Sequence, residues 1–232
     1  MTSTGQPRAY PFYIACDISK SMWSDNLPSP TPHDLVTNSL SALTLELSDE
    51  PTSEKAHIAI IEFADRAAVA RPLTRAYDLT VSHLNKGIQT DYLKLFSFLG
   101  EVIRNDIKRL KETYEVRPVN IFILTDGEPF VGNQRQPKTT WLPARNQLTE
   151  GLDHQVNIIA FGFGDIDEDT LTAAATAYHD RPLAFASNSS APVSTMLDSL
   201  FKVIVFTVSQ SVQKDELVVR APEGMRQLQR KA

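Results

Sequence analysis

The sequence predicts an α/β fold: a single doubly wound domain with a mostly parallel central sheet, one antiparallel edge strand and helices on both faces. Three observations carry this. Tyr10–Cys16, His57–Phe63, Val119–Leu124 and Val156–Phe161 are apolar along nearly their whole length, the pattern of strands buried on both faces. Between them lie longer segments with apolar residues at helical spacing. The 232-residue chain is long enough for one such domain, and no internal repeat or low-complexity block divides it.

Residues 1–9 are mostly polar and read as a flexible N-terminus, followed by the strand Tyr10–Cys16. A loop with Pro28, Pro30 and Pro32 leads to a helix over Asp34–Leu47, where Val36, Leu40, Leu43 and Leu47 share one face. His57–Phe63 is the next strand, and Ala68–Leu73 a short one that Pro72 confines to an edge. A long helix from about Thr90 to Thr113 turns Leu93, Phe96, Val102, Ile103, Ile107 and Leu110 inward. Val119–Leu124 is a nearly all-apolar strand, with a Gly/Pro/Asn loop behind it through Pro137. Helix Leu142–Leu152 then leads to strand Val156–Phe161, and helix Glu168–Tyr178 to the short strand Leu183–Ala186. The last helix, Pro192–Val212, carries Val193, Leu197, Leu200, Phe201, Ile204, Val208 and Val212 on one stripe. From Lys214 the chain is polar and contains Pro222 and Gly224, so the domain spans 10–213 and residues 214–232 read as a tail.

Composition narrows the partners. With 23 Lys and Arg against 28 Asp and Glu, the net charge of −5 leaves no basic stripe for a nucleic-acid backbone. Arg104–Lys111 reads as the solvated face of a helix. One cysteine, Cys16, permits neither an intrachain disulfide nor a Cys-based zinc site. Met1–Arg8 lacks the apolar segment of a secretory signal, and Leu200–Val208 is too short for a bilayer and broken by Lys202. A cytoplasmic protein is expected, with no nucleic-acid, membrane or small-molecule partner.

In doubly wound sheets ligands bind at the carboxyl ends of the strands. Three loops belong there: Asp17-Ile18-Ser19-Lys20-Ser21, Gly87-Ile88-Gln89-Thr90-Asp91 and Thr125-Asp126-Gly127-Glu128-Pro129. They offer the carboxylates Asp17 and Asp126 and the hydroxyls Ser19, Ser21 and Thr90. These are hard oxygen donors without a nucleophile and base, a set that suits Mg²⁺ or Mn²⁺. Hydroxyl ligands leave such an ion under-neutralised, so it attracts a carboxylate from a protein partner. Gly127 would let the backbone turn sharply beside Asp126. Singly, each piece has a plainer reading: a turn cap for Asp17, local backbone bonds for Ser19 and Ser21, an N-cap for Thr90, a Thr-Asp-Gly turn. Their convergence on one sheet edge sets the combination apart.

Asp17-x-Ser19-x-Ser21, then Thr90, then Thr125-Asp126-Gly127, resembles the metal-ion-dependent adhesion site of von Willebrand factor type A (vWA) domains. The element order is similar to that family's over about residues 10–212. The resemblance implies that Asp17, Ser19, Ser21, Thr90 and Asp126 hold Mg²⁺ (or Mn²⁺) and that an acidic residue of a partner protein completes the coordination. Within the family the chain is most similar to small bacterial TerY-like proteins of tellurium-resistance clusters, through Leu124–Pro129 and the Leu200–Val212 ending. That likeness implies a bacterial cytoplasmic complex in a tellurite or stress response. Two positions depart from the family's pattern. Ile88-Gln89 stand before Thr90 where small residues are usual, and Lys20 stands where Gly is common. Trp23, in the same loop as Lys20, is either a partner contact or a ring folded back on its own domain.

Other readings fit less well. A phosphohydrolase of the haloacid-dehalogenase type needs an acid two residues after its first Asp, and Ser19 occupies that place. Gly162-x-Gly164 would need Gly at Asp167 to make a dinucleotide loop. The acids Asp165, Asp167, Glu168 and Asp169 lack the Gly and Glu of a calcium loop, and suit the first turn of a helix. The histidines show no ligand or triad spacing. The main alternatives to a metal-dependent interaction module are thus a metal-dependent phosphohydrolase-like enzyme and a vWA scaffold that has lost its metal.

Overall fold

The computed structural model describes residues 5–81, 83–164, 166–188 and 192–229. In chain order its elements are β1 (Arg8–Asp17), α1 (Pro32–Ser48), β2 (Ala56–Phe63), β3 (Ala67–Arg75), α2 (Tyr92–Leu110), β4 (Glu115–Val116) and β5 (Val119–Thr125). There follow β6 (Phe130–Val131), β7 (Gln134–Arg135), α3 (Lys138–Glu150), β8 (Val156–Gly162), α4 (Glu168–Ala174) and β9 (Ala177–Tyr178). The last are β10 (Arg181–Pro182), β11 (Ala184–Ser187), α5 (Val193–Lys214) and β12 (Met225–Gln227).

Successive strand side chains point to opposite faces, so each buried strand feeds two cores. Phe12, Ile14, Ile58, Ile60, Phe122 and Phe161 pack with the apolar stripes of α1 and α5. Tyr13, Ala15, Ile61, Ile121, Ile123 and Ile158 pack with α2 and α3. The rings of Phe12, Phe122, Phe161 and Phe185 stack from strand to strand across the first face. α1 begins at a reciprocal cap: the Thr31 hydroxyl accepts from the Asp34 amide, while the Asp34 carboxylate accepts from the Thr31 amide.

The main sheet runs β12-β11-β8-β5-β1-β2-β3, with β4 paired to β1 off this path. Pairings among β2, β1, β5, β8 and β11 are parallel, and β3 is antiparallel to β2. From β1 the chain moves to β2 on one side and later to β5 on the other. The strand order therefore reverses between β1 and β5, and a crevice opens beyond their carboxyl ends.

Several expectations are corrected. Residues 214–232 are not simply a polar tail: Leu217 and Val219 pack on the core, Met225 and Leu228 are buried, and β12 pairs antiparallel with β11. Their apolar residues are too widely spaced to show a period, yet they cover an open sheet edge. β1 begins at Arg8, inside the expected flexible segment. The helix expected from Thr90 starts at Tyr92, and Leu93 faces outward, 37% exposed. The helix expected to reach Tyr178 stops at Ala174, and a β9–β10 hairpin turns through His179 and Asp180, both at positive φ. Residues 1–4, Asp165 and 230–232, parts of the expected N-terminus, acidic run and tail, lie outside the described residues. α5 is by length and composition apolar enough to cross a membrane, and half of its apolar window is buried inside the domain.

Candidate metal centre

Asp17 is the last residue of β1 and Thr125 the last of β5, and these strands pair in parallel up to Cys16 and Leu124. The two side chains leave the sheet together, and the Thr125 hydroxyl donates to Asp17 Oδ2 at 2.7 Å. The amide of Ser19 donates to Asp17 Oδ1 at 2.9 Å, so the carboxylate closes its own loop and fixes the direction of Ser19. Ser19 precedes a single 3₁₀ turn, but its side chain makes no capping bond. Its Oγ lies instead 3.1 Å from Ser21 Oγ, which donates to Asp126 Oδ1 at 2.8 Å. Ser19, Ser21 and Asp126 thus form a row of oxygens across two loops, with Asp17 joined to it through the Ser19 amide.

Thr90 reaches the same edge through its backbone. It exchanges both main-chain hydrogen bonds with Phe130, at 3.1 and 2.8 Å. The N-cap of α2 is Asp91, whose carboxylate accepts from the Lys94 amide at 3.1 Å and from Gln136 Nε2 at 2.8 Å. The capping role is therefore filled without the Thr90 hydroxyl. Thr90 is buried, and among the described residues its hydroxyl has no hydrogen bond to the other four.

The loop before Thr90 is held closely despite Ile88 and Gln89. The amides of both donate to the Asp65 carboxylate, at 2.7 and 3.3 Å, and the Ile88 carbonyl accepts from the Lys20 amide at 3.2 Å. Gly87 makes the approach possible: a Cβ there would sit 2.2 Å from Ala64 Cβ. Trp23 folds back, its indole N–H shared between the carbonyls of Ile18 and Gly87 at 3.2 and 3.0 Å. It fastens the two loops together. Gly127 has no left-handed φ; its small size leaves space beside Ser21, whose Oγ would lie 3.9 Å from an added Cβ.

Asp17 is fully buried, and desolvation raises its carboxyl to about 6 against the hydrogen bonds from Ser19 and Thr125. Asp126 is pushed up to about 7, first by burial and then by the neighbouring Asp17. No cationic side chain acts on either group. Among the described residues, no three His, Cys, Asp or Glu side chains converge on a metal position, so a cation here depends on the hydroxyls. One buried and one half-buried carboxyl with adjacent hydroxyls fit a small hard divalent ion. Thr125, Asp65 and Gly87 build this edge without being read as site residues: Thr125 and Gly87 lie inside the named loops with no role assigned, and Asp65 carries no local signal.

The sequence matches the von Willebrand factor type A domain over residues 12–216. No curated protein matches the chain. Similar solved structures include the ArnB paralog VWA2 from Sulfolobus acidocaldarius, 19% identical with a TM-score of 0.52, covering 88% of this chain and 46% of that one. Proximal thread matrix protein 1 of the mussel byssus, in a form with a zinc-occupied MIDAS motif, is 18% identical with a TM-score of 0.53 over 89% of this chain and 46% of its own. The pilus adhesin SpaC from Lactobacillus rhamnosus GG is 11% identical with a TM-score of 0.63, over 89% and 31%. At these identities the likeness is one of fold, and the chain spans less than half of each of these proteins.

Proposed function

This chain belongs to the von Willebrand factor type A domain family, and from that premise we propose that it is a metal-dependent protein-interaction module. Asp17, Ser19, Ser21, Thr90 and Asp126 would hold a Mg²⁺ or Mn²⁺ ion, whose unneutralised charge would attract a Glu or Asp of a partner protein. The observation that carries this reading is the unbroken row of Ser19, Ser21 and Asp126 oxygens beside the buried Asp17. The residues themselves have a plain division of work. Asp17 orients Ser19 through its amide, Thr125 holds Asp17 in place, and Ser21 joins the first loop to the third.

The setting we infer is a bacterial cytoplasmic complex of the tellurite or stress response. Its support is the similarity of Leu124–Pro129 and Leu200–Val212 to TerY-like proteins, a matter of sequence alone. Calorimetric titration of Mg²⁺ into the wild type and Asp17→Ala tests the metal claim. Heat is expected from the wild type at millimolar metal and none from the variant; a silent wild type sinks the proposal. A pull-down with and without EDTA then identifies the partner.

A further inference from the structure

Among the described residues, six large apolar side chains are substantially exposed: Leu45, Val69, Tyr77, Ile88, Leu93 and Phe130. Three of them stand close to Thr90 along the chain or across its β-bridge. Ile88 lies two residues before it and is 66% exposed; Leu93 lies three residues after it, in the first turn of α2; Phe130 is its main-chain bridge partner and is 44% exposed. Isolated exposed apolar residues need no explanation, but a concentration at one place does.

The backbones that carry these side chains are fixed. Ile88 is held through its amide on Asp65 and its carbonyl on Lys20, and Phe130 by both bonds to Thr90. The Gln89 side chain accepts from the Gly132 amide at 3.0 Å, tying the β6–β7 hairpin to the same loop. Apolar groups on a rigid frame lose little entropy when covered. Charge at this edge also has a sign. Glu128 is paired with Arg135 at 2.8 Å and Asp65 is spent on the loop amides, whereas Lys20 is exposed and Lys86 lies 5.2 Å over the Trp23 ring. The surface near the oxygen row thus carries exposed apolar groups and the lysines Lys20 and Lys86 beside one exposed acid, Asp25, and once a divalent ion is bound it suits an acidic residue with bulky apolar neighbours.

We propose that Ile88, Leu93 and Phe130 form an apolar rim that selects, among acidic partner segments, those with a large apolar side chain within two residues of the carboxylate. The inference rests on the metal reading above and names the partner chemistry that the site prefers. Ile88, at the position where the sequence departs from the family's small residues, becomes a specificity-determining residue.

Two fluorescent peptides test this, one with Glu between Leu and Phe and one with Glu between two Ser. Their binding is measured by anisotropy in Mg²⁺ and in EDTA, alongside calorimetry of Mg²⁺ itself. The apolar-flanked peptide is expected to bind at least tenfold more tightly in Mg²⁺ and to lose that binding in EDTA. Ile88→Ser and Phe130→Ser, both surface changes, are expected to remove the preference while the Mg²⁺ heat and the melting temperature persist. Mg²⁺ heat with equal affinity for the two peptides, with no binding of either, or with a preference untouched by both substitutions overturns this proposal alone. Preferential binding that survives EDTA overturns it too. A wild type without Mg²⁺ heat defeats the metal reading and this proposal with it.

Discussion

At the scale of single residues, the division of labour between Thr90 and Asp91 is the most informative detail. Adjacent polar residues at the start of a helix compete for the capping position, and Asp91 holds it here with two accepted hydrogen bonds. Asp91→Ala should therefore destabilise the domain by about 1–2 kcal/mol. Thr90→Ala should cost less than about 1 kcal/mol in EDTA yet weaken Mg²⁺ binding at least tenfold, with Thr90→Ser retaining most of it. Denaturant melts with calorimetry check both, and equal metal affinity for wild type and Thr90→Ala contradicts the role given to that hydroxyl. The candidate donors were legible because each lies in a short motif whose atoms declare their chemistry. Their supports were not. Thr125 meets Asp17 across 108 positions and Asp65 meets Ile88 across 23, and no local pattern records such a contact. Which of two neighbouring residues caps a helix was likewise undecidable until Gln136 came into reach of Asp91.

At the scale of elements, the strands were easy to read because both faces of each are apolar. Helix faces were harder: the buried stripe of α2 runs through Tyr92, Leu95, Phe96, Leu99 and Ile103, and Leu93, one residue past Tyr92, lies to the side of it and stays exposed. β12 was missed for another reason, since three residues that cover an edge are too few to carry an alternation. The return towards that edge is fixed at the end of α5. Asp215, in the left-handed region at φ 58, accepts from the Tyr10 hydroxyl at 2.7 Å and pairs with Arg8 at 3.0 Å and Arg117 at 2.7 Å. One carboxylate thus joins the last helix to β1 and to the entry of β5. Asp215→Ala removes this junction and leaves a residue in the left-handed region without the short polar side chain that makes that conformation tolerable. A loss of about 2–3 kcal/mol is expected, whereas Lys214→Ala should change stability by less than about 0.5 kcal/mol. Equal midpoints for the two variants in urea would refute the clamp.

At the scale of the whole molecule, the candidate site is a place where folding and binding pull in opposite directions. Burial holds Asp17 near 6, and burial together with the neighbouring Asp17 holds Asp126 near 7, above the ordinary carboxylate value of 3.8. The sign follows from proton counts. Between the ordinary value and these raised ones the folded chain binds more protons than the unfolded chain, so this pair's contribution to stability falls as pH rises through that window. Without metal, the pair should make the domain less stable at about pH 8 than at about pH 5, by an amount on the order of 4 kcal/mol. A divalent ion that binds only the folded chain adds stability according to its concentration over its dissociation constant, and protons compete with it for both carboxylates. The rise in melting temperature on adding Mg²⁺ should therefore be small near pH 5 and reach its full size above about pH 7.5. Asp126→Asn isolates the effect from every other titrating group, because it removes one member of the pair while retaining an acceptor for Ser21. In EDTA at about pH 8 the variant should match or exceed the wild type in stability, show a flatter pH profile, and gain nothing from Mg²⁺. Thermal melts of the two proteins from about pH 5 to pH 8, with Mg²⁺ or EDTA, decide the matter. A Mg²⁺ effect independent of pH, or an Asp126→Asn protein as responsive as the wild type, would show that the ion's stabilisation does not come from these two carboxylates.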